Sequence, residues 1–233
     1  MVVLALVAVS DGQGSFFDND VVRRGLPSMH IKYGQANALL ASLVLLTGSF
    51  QCISRQVDES NKSMEQLIAN NFISYFINKK ISDLSVGQYI DITDFNATVN
   101  KKSDIINLIY KKTSSLFEIA VILGWVFTDS FRETIKNNEE VEDLYQLPIV
   151  ADIISIGTNV GMCLQLADDI CDRETDKNTP AKNYCITYGY KQTRDVLAEN
   201  MRKAIAMLKK YQLYSSLWRE IFVKIISLAK STL

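Results

Sequence analysis

The sequence has one histidine, three prolines and ten glycines among 233 residues. Its four cysteines, Cys52, Cys163, Cys171 and Cys185, form no CxxC pair, so with a single histidine a zinc centre is not expected. The thiols read instead as buried groups in a reducing compartment. So few prolines and glycines exclude collagen-like and disordered classes. Lys and Arg number 25 against 26 Asp and Glu, a net charge of −1, so no overall field draws the chain to nucleic acid or an anionic membrane. The opening "MVVLALVAVS" lacks a basic n-region and a small-x-small cleavage pattern, and "NALLASLVLLTGSF" (37–50) is too short to span a bilayer. Neither a signal peptide nor a transmembrane segment is expected. The cytoplasm is the expected location, with an organelle as the alternative. No Ser/His or Cys/His arrangement suggests nucleophilic catalysis.

What is present is apolar residues at helical spacing. Hydrophobic residues make up 48% of the chain, enough for a full core in one domain spanning 1–233. Residues 1–9 read as the end of a buried helix and 10–34 as an irregular connection. In 35–56, Ala38, Leu39, Leu43, Leu46 and Phe50 follow the three-to-four spacing of a helix. Residues 62–82 form another helix, 85–93 one more short turn or helix, and 102–127 one or two helices with a break near Thr113–Ser115. A long helix runs over 148–173, with Pro148 at a favoured first-turn position. Residues 175–180 form a loop, and 190–210 and 214–230 two amphipathic helices. No segment alternates as a strand. The fold class is all-α, a helical bundle with several helices apolar on most faces.

Into this pattern "LQLADDICD" (164–172) sets three aspartates in five positions. On a helix Asp168 and Asp172 project together, Asp169 stands about 100° round, and Gln165 lies one turn before Asp168. The carboxylates repel one another and sit near a helix C-terminus, where the macrodipole disfavours anions. Something positive should meet them. Hard oxygen ligands in a cluster suit Mg²⁺, which keeps waters and binds substrate phosphates. Taken alone, the run also reads as a solvated acidic helix end balanced by Arg173 or Lys177. Arg23 and Arg24, before Gly-Leu-Pro and His30, can fork onto phosphate oxygens or form a solvated surface pair. Lys112 and Thr113 interrupt an apolar helix, as site residues or as a snorkelling, helix-breaking cluster.

Five stretches in fixed order resemble the polyprenyl synthetase family, the trans-isoprenyl diphosphate synthases of geranylgeranyl or farnesyl type. They are "DNDVVRRGLPSMH" (18–30), "GQYIDI" (87–92), "KKTSSLF" (111–117), "LQLADDICD" and "AKNYCITYGYKQTRDVLAE" (181–199). The resemblance implies an isoprenoid-synthase-like bundle around a central cavity. There Mg²⁺-dependent prenyl transfer condenses isopentenyl diphosphate with an allylic diphosphate, with no protein nucleophile. It also implies a homodimer, or a heterodimer with a related synthase. By position, Asp168, Asp169, Asp172 and Asp18 are the implied metal residues. Arg23, Arg24, Lys112, Thr113, Gln165 and Lys182 are the implied diphosphate contacts.

The sequence departs from that family at its start. Of the first aspartate-rich motif only Asp18 remains; Gly12 and Gln13 stand at its first two positions, and Asp11 is one residue out of register. The family's G-G-K-R-x-R-P stretch falls before residue 1, and Leu26 replaces the Lys of R-R-G-K-P. These departures suit a piece of a longer product or a paralogue that no longer condenses prenyl units. Two further readings therefore stand beside the synthase: a non-catalytic partner subunit, and a terpene-cyclase-like enzyme that ionises one prenyl diphosphate. Small Val7 and Ala8 near the expected cavity floor suggest a product longer than farnesyl.

Overall fold

A computed structural model describes residues 8, 16–17, 20–23, 25–54, 64–93, 102–136, 141–178 and 182–230. The expected helix end at 1–9 lies outside them except for Ala8. The chain divides into two compact units, residues 1–79 with 126–144, and residues 80–125 with 145–233.

The first unit opens with a hairpin of two-residue strands, β1 (Val22–Arg23) and β2 (Leu26–Pro27), paired antiparallel and turned at Gly25 with φ +76°. The sequence pattern predicts no strand there, because two residues are too few for alternation to register. Helix α1 (Met29–Tyr33) also falls within the stretch expected to be irregular and packs on α2 (Gln35–Ser54). The inward face of α2 is not the leucine face that the spacing suggests. Ala38, Ser42 and Ser49 are buried, while Leu40, Leu43 and Val44 are exposed. The small residues permit close backbone approach, and Ser42 returns its hydroxyl hydrogen to the Ala38 carbonyl at 2.9 Å. The core of this unit comes from the first part of α3 (Met64–Ile92) and from α6 (Asp129–Lys136), where the Phe72 and Phe131 rings meet at a tilt with their centroids 5.9 Å apart. Each such ring withdraws apolar surface worth roughly 1.5–3 kcal/mol. Helix α7 (Val141–Gln146) buries Leu144.

The second unit takes the last part of α3, then α4 (Lys102–Ile109), a π-helical turn (Tyr110–Ser114), α5 (Ser115–Val126), α8 (Pro148–Cys171), α9 (Tyr184–Tyr188), α10 (Tyr190–Lys210) and α11 (Ser216–Lys230). Helix α8 starts as expected at Pro148, in the first helical turn. It buries Ile153, Ile156, Val160, Cys163, Leu166 and Ile170 against α9, α10, α11 and the π-turn. By length and composition α8 is apolar enough to cross a membrane, but 56% of its apolar stretch is buried inside the protein, as in a core helix. The short element expected at 85–93 is instead the continuous end of α3.

Candidate functional site

The second unit gathers its chemistry around the π-turn. Three glycines allow α3 and α8 to approach this turn and the start of α5. A Cβ at Gly87 would stand 2.6 Å from the Lys112 nitrogen, one at Gly161 2.6 Å from the Ser114 Cα, and one at Gly157 2.5 Å from the Glu118 Cα. Each contact is to backbone, which cannot swing aside, so α3 and α8 lie against the turn only because these positions lack side chains. The π-turn inserts one residue into the α4–α5 run, and such insertions are common at functional sites. The expected break at Thr113–Ser115 is therefore a widening of the helix, with Lys112 and Thr113 inside it.

Lys112 forms an ion pair with Asp91 at the end of α3. Lys182 reaches the same helix end, donating to the carbonyl oxygens of Ile90 at 3.0 Å and Asp91 at 2.8 Å. Its ammonium lies 4.0 Å from the Asp91 carboxylate. Two lysines thus meet the negative end of α3, where the helix dipole favours cations.

Thr113 Oγ1 donates to Gln165 Oε1 at 2.8 Å, and the amide nitrogen of Gln165 donates to Asp169 Oδ1 at 2.9 Å. The other oxygen of Asp169 accepts the backbone N–H of Tyr184 at 2.8 Å. Asn183, which caps α9 by accepting from Ile186 N–H, donates to the Asp169 carbonyl at 2.8 Å and to Asp176 Oδ2 at 3.0 Å. Burial pushes the Asp169 carboxyl up to about 6, opposed by the hydrogen bonds from Gln165 and Tyr184. The Asp172 carboxyl is also raised, by burial and then by Asp176.

The three aspartates therefore differ. Asp169 is 4% exposed with both oxygens engaged. Asp168 is exposed and Asp172, the C-cap of α8, is half-buried; the Asp172 N–H bonds the Asp168 carbonyl at 2.8 Å, so the two lie one turn apart. Lys177 pairs with Glu174 at 2.6 Å and Arg173 lies 3.6 Å from the same residue. Among the described residues no group of three or more His, Cys, Asp or Glu could hold a metal ion on its own. The donor chemistry of Asp168 and Asp172 fits a Mg²⁺ bound through one or two carboxylates and completed by water and phosphate oxygens, not an all-protein cage.

Lys112, Thr113, Gln165, Asp168, Asp169, Asp172 and Lys182 all belong to this unit. Arg23 belongs to the other and bonds Asp20 at 2.9 Å. Asp18 and Arg24 lie outside the described residues. The sequence pattern did not single out Asp91, Asn183, Lys80 or Glu118. Asp91 sits within "GQYIDI" and Asn183 is next to Lys182, so both had a signal. Glu118 had only its isolation in "SLFEIAVILGW".

Known proteins resemble the chain in sequence and in fold. The sequence model of the polyprenyl synthetase family matches residues 16–188. A trans-prenyltransferase of African swine fever virus (isolate Pig/Kenya/KEN-50/1950) is 29% identical over 220 residues, covering 93% of this chain and 58% of that protein. The chain thus spans little more than half the length of that relative. The geranylgeranyl diphosphate synthase of Saccharolobus solfataricus is 31% identical over 156 residues, 66% of this chain and 40% of its own. The FPP/GFPP synthase from Zymomonas mobilis superposes with a TM-score of 0.71 at 20% identity, covering 98% of this chain and 74% of that one. The geranyltranstransferase from Thermotoga maritima gives 0.71 at 19% identity, covering 96% and 76%. These solved structures share the all-α fold. With residues 16–188, most of the chain, matching the family's pattern, and with that fold beneath them, the chain belongs to the polyprenyl synthetase family.

Proposed function

We propose that the chain performs Mg²⁺-dependent prenyl transfer, condensing isopentenyl diphosphate with an allylic diphosphate in the manner of a geranylgeranyl diphosphate synthase. The observation that carries this reading is the placement of Lys112, Thr113 and Gln165 around one π-turn in the same unit as Asp168 and Asp172, which lie one helical turn apart. Lys112 would donate to the allylic diphosphate, leaving Asp91, and Thr113 with Gln165 would orient it. Asp168 and Asp172 would hold the Mg²⁺, which when bound neutralises charge on the leaving diphosphate. Asp169 would fix Gln165 and the start of α9. By the family's sequence pattern, Arg23 and Arg24 would contact the substrates and Asp18 would be a metal residue. The proton lost after condensation needs an acceptor, for which diphosphate oxygens suffice without a side-chain base.

The exposed Leu40, Leu43 and Val44 of α2 support association, either with a second copy or with a related synthase. A second reading, a non-catalytic subunit of a heteromeric synthase, is favoured by Gly12 and Gln13 in the first acidic motif. Labelled isopentenyl diphosphate and allylic diphosphates of ten, fifteen and twenty carbons would be supplied with Mg²⁺, with and without a related synthase. Product made by the chain alone, lost in chelator, supports the enzyme. Product made only by the mixture supports the subunit. Absence of both product and Mg²⁺-linked diphosphate binding would overturn both readings.

A further inference from the structure

Beside the π-turn the second unit buries another set of charges, none of which the proposed chemistry uses. Lys80 on α3 is 5% exposed and Glu118 on α5 is fully buried. The Lys80 ammonium lies 2.6 Å from Glu118 Oε2, donates to the Tyr110 hydroxyl at 2.8 Å and stands 3.6 Å from Asp83. Glu118 Oε1 accepts the Thr158 hydroxyl at 2.5 Å, and the Thr158 carbonyl accepts the Ser114 hydroxyl at 3.2 Å. The two charged groups lie within ion-pair distance of each other. Burial alone would lower Lys80, but hydrogen bonds to Glu118 and Tyr110 outweigh it and hold the ammonium above the ordinary lysine value. Burial pushes the Glu118 carboxyl up, opposed by Lys80 and then Thr158.

The network ties the first residue of the π-turn, Tyr110, and the last, Ser114, to α3 and α8. A buried ion pair seldom stabilises a fold more than an apolar pair of the same size, so its contribution is better sought in what it specifies. A π-turn competes with regular α-helix, and removing the extra residue would rotate the downstream helix by about 100°. We propose that Lys80 and Glu118 are positioning residues whose buried pair pins both ends of the π-turn and so aims Lys112 and Thr113. Only the identity of the group those two side chains meet rests on the function proposed above; the pinning does not.

The test uses the full chain and three variants: Tyr110→Phe, Lys80→Met, and the paired Lys80→Met/Glu118→Leu. Thermal midpoint, backbone hydrogen exchange over residues 110–115, and calorimetric titration with inorganic pyrophosphate and Mg²⁺ are measured on each. The paired variant should melt near the wild-type midpoint, since both charges are removed together. Its exchange over 110–115 should nonetheless rise about tenfold, the equivalent of one lost charge-assisted hydrogen bond, with pyrophosphate affinity falling by a similar factor. Tyr110→Phe, which removes one hydroxyl, should give a smaller rise in the same residues and decides the matter if the paired variant does not fold. Wild-type exchange over 110–115 in a folded paired variant, or in Tyr110→Phe where only that variant folds, overturns the proposal. If the wild type binds no pyrophosphate, the proposed function falls while the exchange comparison still decides the positioning role.

Discussion

The carboxylate of Asp169 accepts the backbone N–H of Tyr184 at 2.8 Å, tying the end of α8 to the start of α9. The bond makes Asp169 unlike its neighbours in "LQLADDICD". One oxygen serves α9, the other serves Gln165, and neither faces solvent freely. Substituting alanine leaves the Tyr184 N–H buried without an acceptor, at a cost of about 1–3 kcal/mol. Chemical denaturation of Asp169→Ala should show that loss whether or not Mg²⁺ is present.

The same burial sets a pH dependence. The folded Asp169 carboxyl titrates at about 6, above the ordinary aspartate value of about 3.9 for an unfolded chain. The folded state therefore holds this proton more tightly. The associated stabilisation is complete below about pH 4 and is lost as pH rises through about 6. In chelator, Asp169→Asn should flatten the stability profile between those limits, by an amount on the order of 3 kcal/mol. Urea midpoints at half-unit pH steps would show it, and a wild-type profile with no decline attributable to this residue would refute it.

Asp168 and Asp172 should behave in the opposite way. Asp168 is exposed and Asp172 only half-buried, so changing either to asparagine should shift stability by less than about 0.5–1 kcal/mol. Their expected effect is on Mg²⁺-linked uptake of a prenyl diphosphate, which calorimetry should find weakened about tenfold or more, the size of one lost charge-assisted contact. Equal losses of folding and of binding in all three asparagine variants would contradict this division of the trio.

Part of that division was legible in the sequence. Helix geometry alone puts Asp168 with Asp172 and turns Asp169 aside. Long helices with strong spacing were equally legible: α8 starts at Pro148, and α10 runs from Tyr190 to Lys210 as expected. The misses have physical causes. The stretch 85–93 reads as a separate short element, yet Gly87 sits inside the continuous α3, where the Lys112 backbone fills the space a side chain would take. The π-turn changes no residue type, so periodicity sees only a disturbance near Thr113. Helices α6 and α7 are too short to declare a face before their partners are known. The inward serine face of α2 defeats any rule that buries leucine first. Lys80 and Glu118 meet from positions 38 residues apart, and nothing in either local pattern names the other.

The glycines of α8 supply a further check on how the π-turn is held. A methyl group at Gly161 would stand 2.6 Å from the Ser114 Cα and one at Gly157 2.5 Å from the Glu118 Cα, both within collision range of backbone. Overpacking of this kind costs about 1–3 kcal/mol, more than the gain in helix propensity of roughly 1 kcal/mol. Gly161→Ala should therefore lower the denaturation midpoint, and because Ser114 ends the π-turn it should also weaken pyrophosphate binding. An alanine variant more stable than wild type would mean that the helices sit farther apart than described.

Lys112 and Lys182 both approach Asp91, yet they should fail differently when shortened. Lys112 joins Asp91 through side chains that keep part of their exposure, so the pair contributes no more than about 1 kcal/mol to folding. Lys182 donates to two main-chain oxygens at the end of α3 and is largely buried. Losing it leaves those carbonyls without their cation, at about 1.5–3 kcal/mol. Lys112→Met should thus keep its unfolding midpoint and lose diphosphate affinity about tenfold or more, as expected for one charge-assisted contact. Lys182→Met should lose stability first, and its binding defect should shrink when α3 is held by high osmolyte. If instead Lys182→Met keeps full stability while its binding collapses, Lys182 meets the diphosphate directly, and its bonds to Ile90 and Asp91 are only where it rests without ligand.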